Sequence, residues 1–249
     1  MEKIKISVVS YLNSKPFIYG LQHAEILNEI DLQLDIPSVC AQKLLDGKVD
    51  IGLIPVAVIP KLKEHYIISD YCIGAVGKVA SVMLYSNVPL QEIKTVLLDY
   101  QSRTSVALVK VLAKNFWKID PEWIPTTTDY ENNVSGTTAA VIIGDRTFGM
   151  ENKYAYSFDL AEEWQKFTQL PFVFACWVST KKLTEQFLYD FNRALKHGLE
   201  NRPLLINELE ASGKYKTNVD EYLNKSLSYE YDDAKKQALA LFLNYLVKL

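Results

Sequence analysis

Apolar and polar residues alternate strictly through Lys3-Ile4-Lys5-Ile6-Ser7-Val8, which predicts a strand with Ile4, Ile6 and Val8 on one face. The polar run Ser10-Tyr11-Leu12-Asn13-Ser14-Lys15 falls at that strand's C-terminal end, and Pro16 suits the first turn of a following helix. A second strand is expected near Leu32 to Ile36, then a helix through Ala41 to Asp46 closed by Gly47. The apolar run Val49 to Pro55 predicts a third strand, with a helix over Val56 to Leu62. Further strand-like runs lie at Ser81 to Tyr85, Thr95 to Leu98, Ala139 to Ile143 and Phe172 to Val178. Val106 to Phe116 is almost wholly apolar and predicts a buried helix, whereas Phe187, Leu188, Phe191, Leu195 and Leu199 recur at amphipathic spacing. A last helix is expected through Ala238, Leu239, Leu241, Phe242, Tyr245 and Leu246, with Asp232 and Asp233 placed well against its dipole. Strands and helices alternating in this way predict an α/β protein.

Two of the strand-like runs read as crossings between lobes, one at Val82 to Ser86 and one at Phe172 to Val178. Residues 1–87 with 174–249 then form a first, discontinuous lobe, residues 88–173 an inserted second lobe, and the ligand cleft lies between them. Thr126 to Thr138, rich in Thr, Asn and Gly, reads as a surface loop around a short helix.

Composition narrows the function classes. An apolar fraction of 49% in 249 residues supports a sizeable core. A net charge of -3 without a basic block leaves no electrostatic footprint for nucleic acid. No polybasic amphipathic helix suits a membrane surface, and no apolar run approaches the roughly 18 residues of a span. Met1 to Ile4 lacks the pattern of a secretory leader, so a cytoplasmic protein is expected. Cys40, Cys72 and Cys176 are scattered, as are His23, His65 and His197, and neither set has the spacing of a disulfide framework or a metal site. The absence of G-x-S-x-G and G-x-G-x-x-G argues against a hydrolytic elbow and a dinucleotide cofactor.

Three junctions carry candidate chemistry. In an open α/β sheet ligands bind beyond the C-terminal ends of the strands, where Ser10 to Lys15 offers hydroxyls, an amide and a cation beside a helix start that favours anions. The same spacing also serves a ligand-free polar turn. Asp99-Tyr100-Gln101-Ser102-Arg103-Thr104-Ser105 links a strand to the apolar helix, and its hydroxyls either cap that helix or donate to a bound carboxylate. In Ile143-Gly144-Asp145-Arg146, glycine permits a ligand's close approach and Asp145 faces the cleft mouth, the alternative being a salt-bridged turn. One such junction in each lobe suits a ligand with two carboxylates.

Taken in order, Ser10 to Phe17, Ser81 to Ser86 with Val88-Pro89-Leu90, Gln101 to Ser105, Ile143-Gly144-Asp145, Asp159-Leu160 with Glu163-Trp164, and Leu170 to Trp177 resemble the chorismate dehydratase family of the futalosine route to menaquinone. Beyond about residue 180 the resemblance is loose. It implies a type II periplasmic-binding-protein-like fold with two crossover strands. The implied reaction removes water from chorismate to give 3-[(1-carboxyvinyl)oxy]benzoate, with no metal and no redox cofactor. Monomer and homodimer both stay open. Carried onto these positions, Asn13 and Asp145 are catalytic candidates, and Tyr11, Ser14, Ser86, Ser102, Thr104, Ser105, Gly144 and Trp177 are substrate-binding candidates. Arg146 stands where relatives carry an acidic or small residue. Asn13 is no base, because an amide has no accessible proton-accepting state at neutral pH. Two rivals stay open. One is a non-catalytic binding protein for an anionic metabolite. The other is the pathway's sister enzyme forming dihydroxynaphthoate, whose implied histidine in the inserted lobe has no counterpart in residues 88–173.

Overall fold

The computed structural model describes residues 3–249; Met1 and Glu2, which the sequence pattern leads into the first strand, lie outside the described residues. Strand β1 (Ile4–Val9) passes through a 3-10 turn, Leu12–Ser14, into helix α1 (Lys15–Gln22). Then come β2 (Ile30–Asp35), α2 (Pro37–Leu45), β3 (Ile51–Pro55), a 3-10 segment Val56–Lys61 and the long β4 (Tyr66–Ala75). The middle of the chain holds β5 (Val82–Ser86), β6 (Thr95–Leu98), α3 (Thr104–Leu112), β7 (Glu122–Pro125), β8 (Thr138–Ile143), β9 (Tyr156–Asp159) and α4 (Leu160–Thr168). Strand β10 (Phe172–Ser179) precedes α5 (Glu185–Glu200), α6 (Arg202–Ala211), the single turn α7 (Val219–Glu221), β11 (Ser228–Glu230) and α8 (Asp233–Leu246).

Two mixed sheets result, ordered β11-β4-β10-β3-β1-β2 and β7-β6-β8-β5-β9. In the first, β1 is parallel to β2 and β3, while β10 runs antiparallel between β3 and β4. In the second, β6 is parallel to β7 and β8, and β5 is antiparallel to β8 and β9. The chain changes sheet through residues 76–81 and returns through 169–171. These two crossings lie side by side, because Phe172 pairs with Ala75 and Val173 with Gly74.

Several expectations are corrected. Val82–Ser86 is not a crossing; its backbone is paired on both sides within the second sheet, so the change of sheet falls before residue 82 rather than at 88. Val56–Lys61 winds as a 3-10 segment, with Pro60 inside it unable to donate an α-helical bond. The apolar helix ends at Leu112 and continues as a π turn, Ala113–Trp117, closed by Lys118 at φ 58°. Strand β4 has no counterpart in the expected elements, and neither have β7, β9 and β11. Both faces of β1 are covered: Val8 and Ser7 are each 0% exposed, and the Ser7 hydroxyl donates to Asp35 at 2.7 Å.

The first sheet is anchored by a close helix crossing. A Cβ on Gly198 of α5 would stand 1.9 Å from the Pro16 carbonyl oxygen of α1, and one on Gly20 would stand 2.1 Å from that of Ala194. Only glycine at both positions lets the helix behind the Asn13 turn pack this deeply. Caps then fix the element starts. Asp159 accepts from Ala161 and Glu162, Thr184 from Phe187, and Asp232 from Lys235.

Candidate functional site

A cleft opens between the two sheets. From the first sheet's side it is lined by Tyr11, Asn13 and Ser14, which follow β1, with Pro37, Pro55 and Phe174 among the apolar wall. From the other side come Ser102, Thr104 and Ser105 at the start of α3, and Ile143 and Gly144 at the end of β8. The two polar junctions singled out in the sequence therefore face one cavity. Every polar side chain in its lining is an amide or a hydroxyl, and no Asp, Glu, His, Lys or Arg is among the residues that line it.

The side chains are held rather than loose. Asn13 accepts the Tyr229 hydroxyl on its carbonyl oxygen at 2.9 Å, and its Oδ1 accepts from Ser14 at 3.0 Å. Its side-chain amide also hydrogen-bonds the Tyr222 hydroxyl, which leaves one of the two Nδ2 hydrogens without a partner. Ser102 Oγ accepts the Ser105 N–H at 2.9 Å, and Thr104 Oγ1 donates to the Phe174 carbonyl at 3.0 Å while accepting the Ala57 N–H at 3.3 Å. Ser105 thus has the hydroxyl of this turn that no protein group takes up. Beneath the turn, Asp99 is 2% exposed and accepts from the Gln101 N–H, the Tyr130 hydroxyl, the Ile143 N–H and Arg146 Nη2. Burial works against the Arg146 charge, but the Asp99 carboxylate 2.5 Å away more than offsets it and holds the guanidinium protonated. Arg146 also meets Glu131 at 2.6 Å and lies over the Tyr100 ring. Its part is the salt-bridged turn.

Tyr11 spans the cleft, its hydroxyl donating to Gln101 Oε1 and its ring lying against Gly144. Burial raises the Tyr11 pKa, so it stays a phenol. Gly144 has φ 64°, and a Cβ there would meet the Tyr11 ring at 2.5 Å. Asp145 is not in the cavity lining. Its carboxylate accepts the Leu12 N–H at 3.1 and 3.3 Å, latching the second sheet's turn onto the first, and burial raises its pKa against the pull of that N–H. Lys15, the cation of the first junction, is also outside the lining, its pKa lowered by burial and by nearby Lys214.

Two candidates are displaced. Ser86 sits at the far end of β5, where its hydroxyl donates to the Val88 carbonyl at 2.8 Å and accepts the Val88 N–H at 3.1 Å. That closed local turn leaves it nothing to offer a substrate. Trp177 is 0% exposed and packs edge-on between Phe17 and Phe191, so it is core. The β10 residues that line the cavity are instead Phe174 and Ala175. Sequence reasoning also missed Ser81, whose Oγ accepts the Tyr222 hydroxyl at 2.7 Å, and Leu227. Ser81 stands inside a motif already noted. Leu227 in the lining, and Tyr222 and Tyr229 behind Ser81 and Asn13, carry no local signal, because they come to the cleft only by the return of the C-terminal segment. Among the described residues no group of three or more His, Cys, Asp or Glu side chains is placed to hold a metal ion, and no helix is long and apolar enough to cross a membrane.

Two α/β lobes meeting over a cleft of strand-end turns define the periplasmic-binding-protein class of fold. Solved structures agree. Protein AF1704 of Archaeoglobus fulgidus aligns over 99% of this chain and 97% of its own with TM-score 0.75 at 15% identity. The Candida albicans CA3427 gene product, described as having the generic periplasmic binding protein fold, aligns over 100% and 94% with TM-score 0.61 at 12% identity. These likenesses establish the fold alone. The family model for menaquinone biosynthesis matches residues 4–248, and the chain belongs to that family. A chorismate dehydratase of Thermus thermophilus is 28% identical over 160 residues, a match that takes in 57% of this chain and 58% of the relative's length.

Proposed function

We propose that the protein is a hydro-lyase that converts chorismate to 3-[(1-carboxyvinyl)oxy]benzoate. The observation that carries this reading is a cleft between two lobes whose polar lining is made of neutral donors, with the N-terminal turn of α3 on one side and Asn13 on the other. Chorismate has two carboxylates, and its dehydration yields an aromatic ring, so the driving force is in the substrate. The site has to orient and polarise.

Ser105, with Ser102, Thr104 and the helix start behind it, holds one carboxylate. Asn13 Nδ2 donates to the departing hydroxyl or to the other carboxylate, and Tyr11, Ser14 and Gly144 shape the space around the ring. In the elimination the ring C–H bond beside the ether breaks and its electron pair forms the new ring double bond. The neighbouring C–O bond breaks as hydroxide leaves and takes up a proton, giving water. The enolpyruvyl carboxylate of the substrate accepts the ring proton. This assignment is favoured over Asp145 because both Asp145 oxygens are turned to the Leu12 N–H and the side chain is outside the cavity lining.

Incubating the purified protein with chorismate, with ultraviolet absorbance and product mass as readouts, tests the reading. Loss of one water is expected. Binding of chorismate without turnover would instead assign the protein to the ligand-binding side of its fold class.

A further inference from the structure

Helix α3 has a second working face. Arg103, Val106, Lys110 and Lys114 follow one another at helical spacing and turn away from Ser105. They wall a groove bounded on its other sides by the 3-10 segment bearing Lys61, by the stretch Lys118 to Trp123 and by the end of α8. The floor is apolar, from Val58, Val106, Ala107, Ile119, Trp123 and Leu246. The rim carries five cations, Lys61, Arg103, Lys110, Lys114 and Lys118, against the one acidic side chain Asp120. In a chain of net charge -3 this is a local reversal of sign.

These cations are not committed elsewhere as ion pairs: among the described residues none of the five is in a salt bridge of 4.0 Å or less with a carboxylate. Lys110 Nζ is held 5.6 Å from the centroid of the Trp123 ring, and Lys114 donates to the Lys248 carbonyl at 2.7 Å, fixing the end of α8 against the rim. An apolar floor under unneutralised positive charge is complementary to a molecule with an apolar body and an anionic head. The concavity suits a discrete molecule, since a flat bilayer does not reach its floor. We propose that this groove is a second ligand site, separate from the interlobe cleft, for a small amphiphilic anion. It stands independently of the dehydratase reading.

Calorimetric titration with anilinonaphthalene sulfonate, an aromatic anion of this class, tests it on the full chain. One saturable site is expected, weakening as salt rises and about tenfold or more weaker in the Lys110→Glu/Lys114→Glu double variant. Lys118→Glu, on an exposed side chain, is a second variant expected to weaken binding in the same direction with the circular dichroism unchanged. Ser105→Ala, in the other cleft, leaves the probe's affinity intact. Absence of saturable binding, equal affinity in the charge-reversed variants, or loss of binding in Ser105→Ala overturns the proposal. So does a wild-type dimer that the double variant dissolves, or co-sedimentation with anionic phosphatidylserine vesicles that requires Lys110 and Lys114; those results would give the groove to a second copy or to a membrane.

Discussion

The two junctions that face each other across the cleft are built from different distances along the chain. The Asn13 turn is held from far along the chain, by the Tyr229 hydroxyl on its carbonyl, the Tyr222 hydroxyl on Ser81 and the Asp145 carboxylate on the Leu12 N–H. The Ser102–Ser105 turn is held by charge from close by, with Asp99 buried under it and paired to Arg146. Both present only neutral donors to the cavity. The difference teaches that carboxylates set the shape of both turns while being kept out of the cavity, which is lined by dipoles on both sides.

Removing the buried charge breaks this contrast most severely. Asp99→Ala leaves Arg146 without its main partner and frees Ile143 and Tyr130, so a stability loss of about 3–5 kcal/mol is expected in urea unfolding. The matching change in the first junction, Tyr229→Phe, deletes one neutral hydrogen bond and is expected to cost about 1 kcal/mol, read as a drop in turnover with the fold intact. Between them in size lies Gly144→Ala. It meets the Tyr11 ring at 2.5 Å in left-handed backbone, so about 1–3 kcal/mol of strain is expected, with weakened chorismate binding as the lobes are wedged apart.

The smallest effect sharpens the comparison through pH. Burial raises the Asp145 pKa above its unfolded value, so the native state binds the proton more tightly. Its stabilising contribution is therefore present below the unfolded value near 3.8 and is lost as pH rises through the folded one. Relative to Asp145→Asn, the wild type should lose stability over that rise and then run parallel to it towards neutrality, as read from urea midpoints at several pH values. Turnover of Asp145→Asn is expected to stay close to wild type. A large loss would return the proton to Asp145.

What the sequence made legible is local. Asn13, Ser102 and Ser105 are each a few residues beyond a recognisable strand, and the rule that strand ends gather around a cleft is enough to bring them to one cavity. Trp177 misled because β10 is buried along its whole length, so no alternation tells which side chains face the cavity. Ser86 misled because a hydroxyl two residues before a carbonyl can satisfy itself. Strand β4 escaped notice because its pairing with β10 shifts register twice, and polar Ser69 and Asp70 interrupt its apolar run. Tyr222 and Tyr229 were beyond reach, since only the tertiary path of the C-terminal segment brings them back to residues 81 and 13.

The place of β10 in the first sheet also dictates an order of assembly during synthesis. It is the central partner of both β3 and β4, yet it follows them in the chain only after the whole second sheet has been made. The second sheet is contiguous from Val82 to Asp159 and can close as soon as those residues leave the ribosome. Until Phe172–Ser179 arrives, the earlier strands have an open edge on β3 and nothing to join it to β4. The nascent chain therefore completes its inserted half first, and the half that begins the sequence is the one that finishes last.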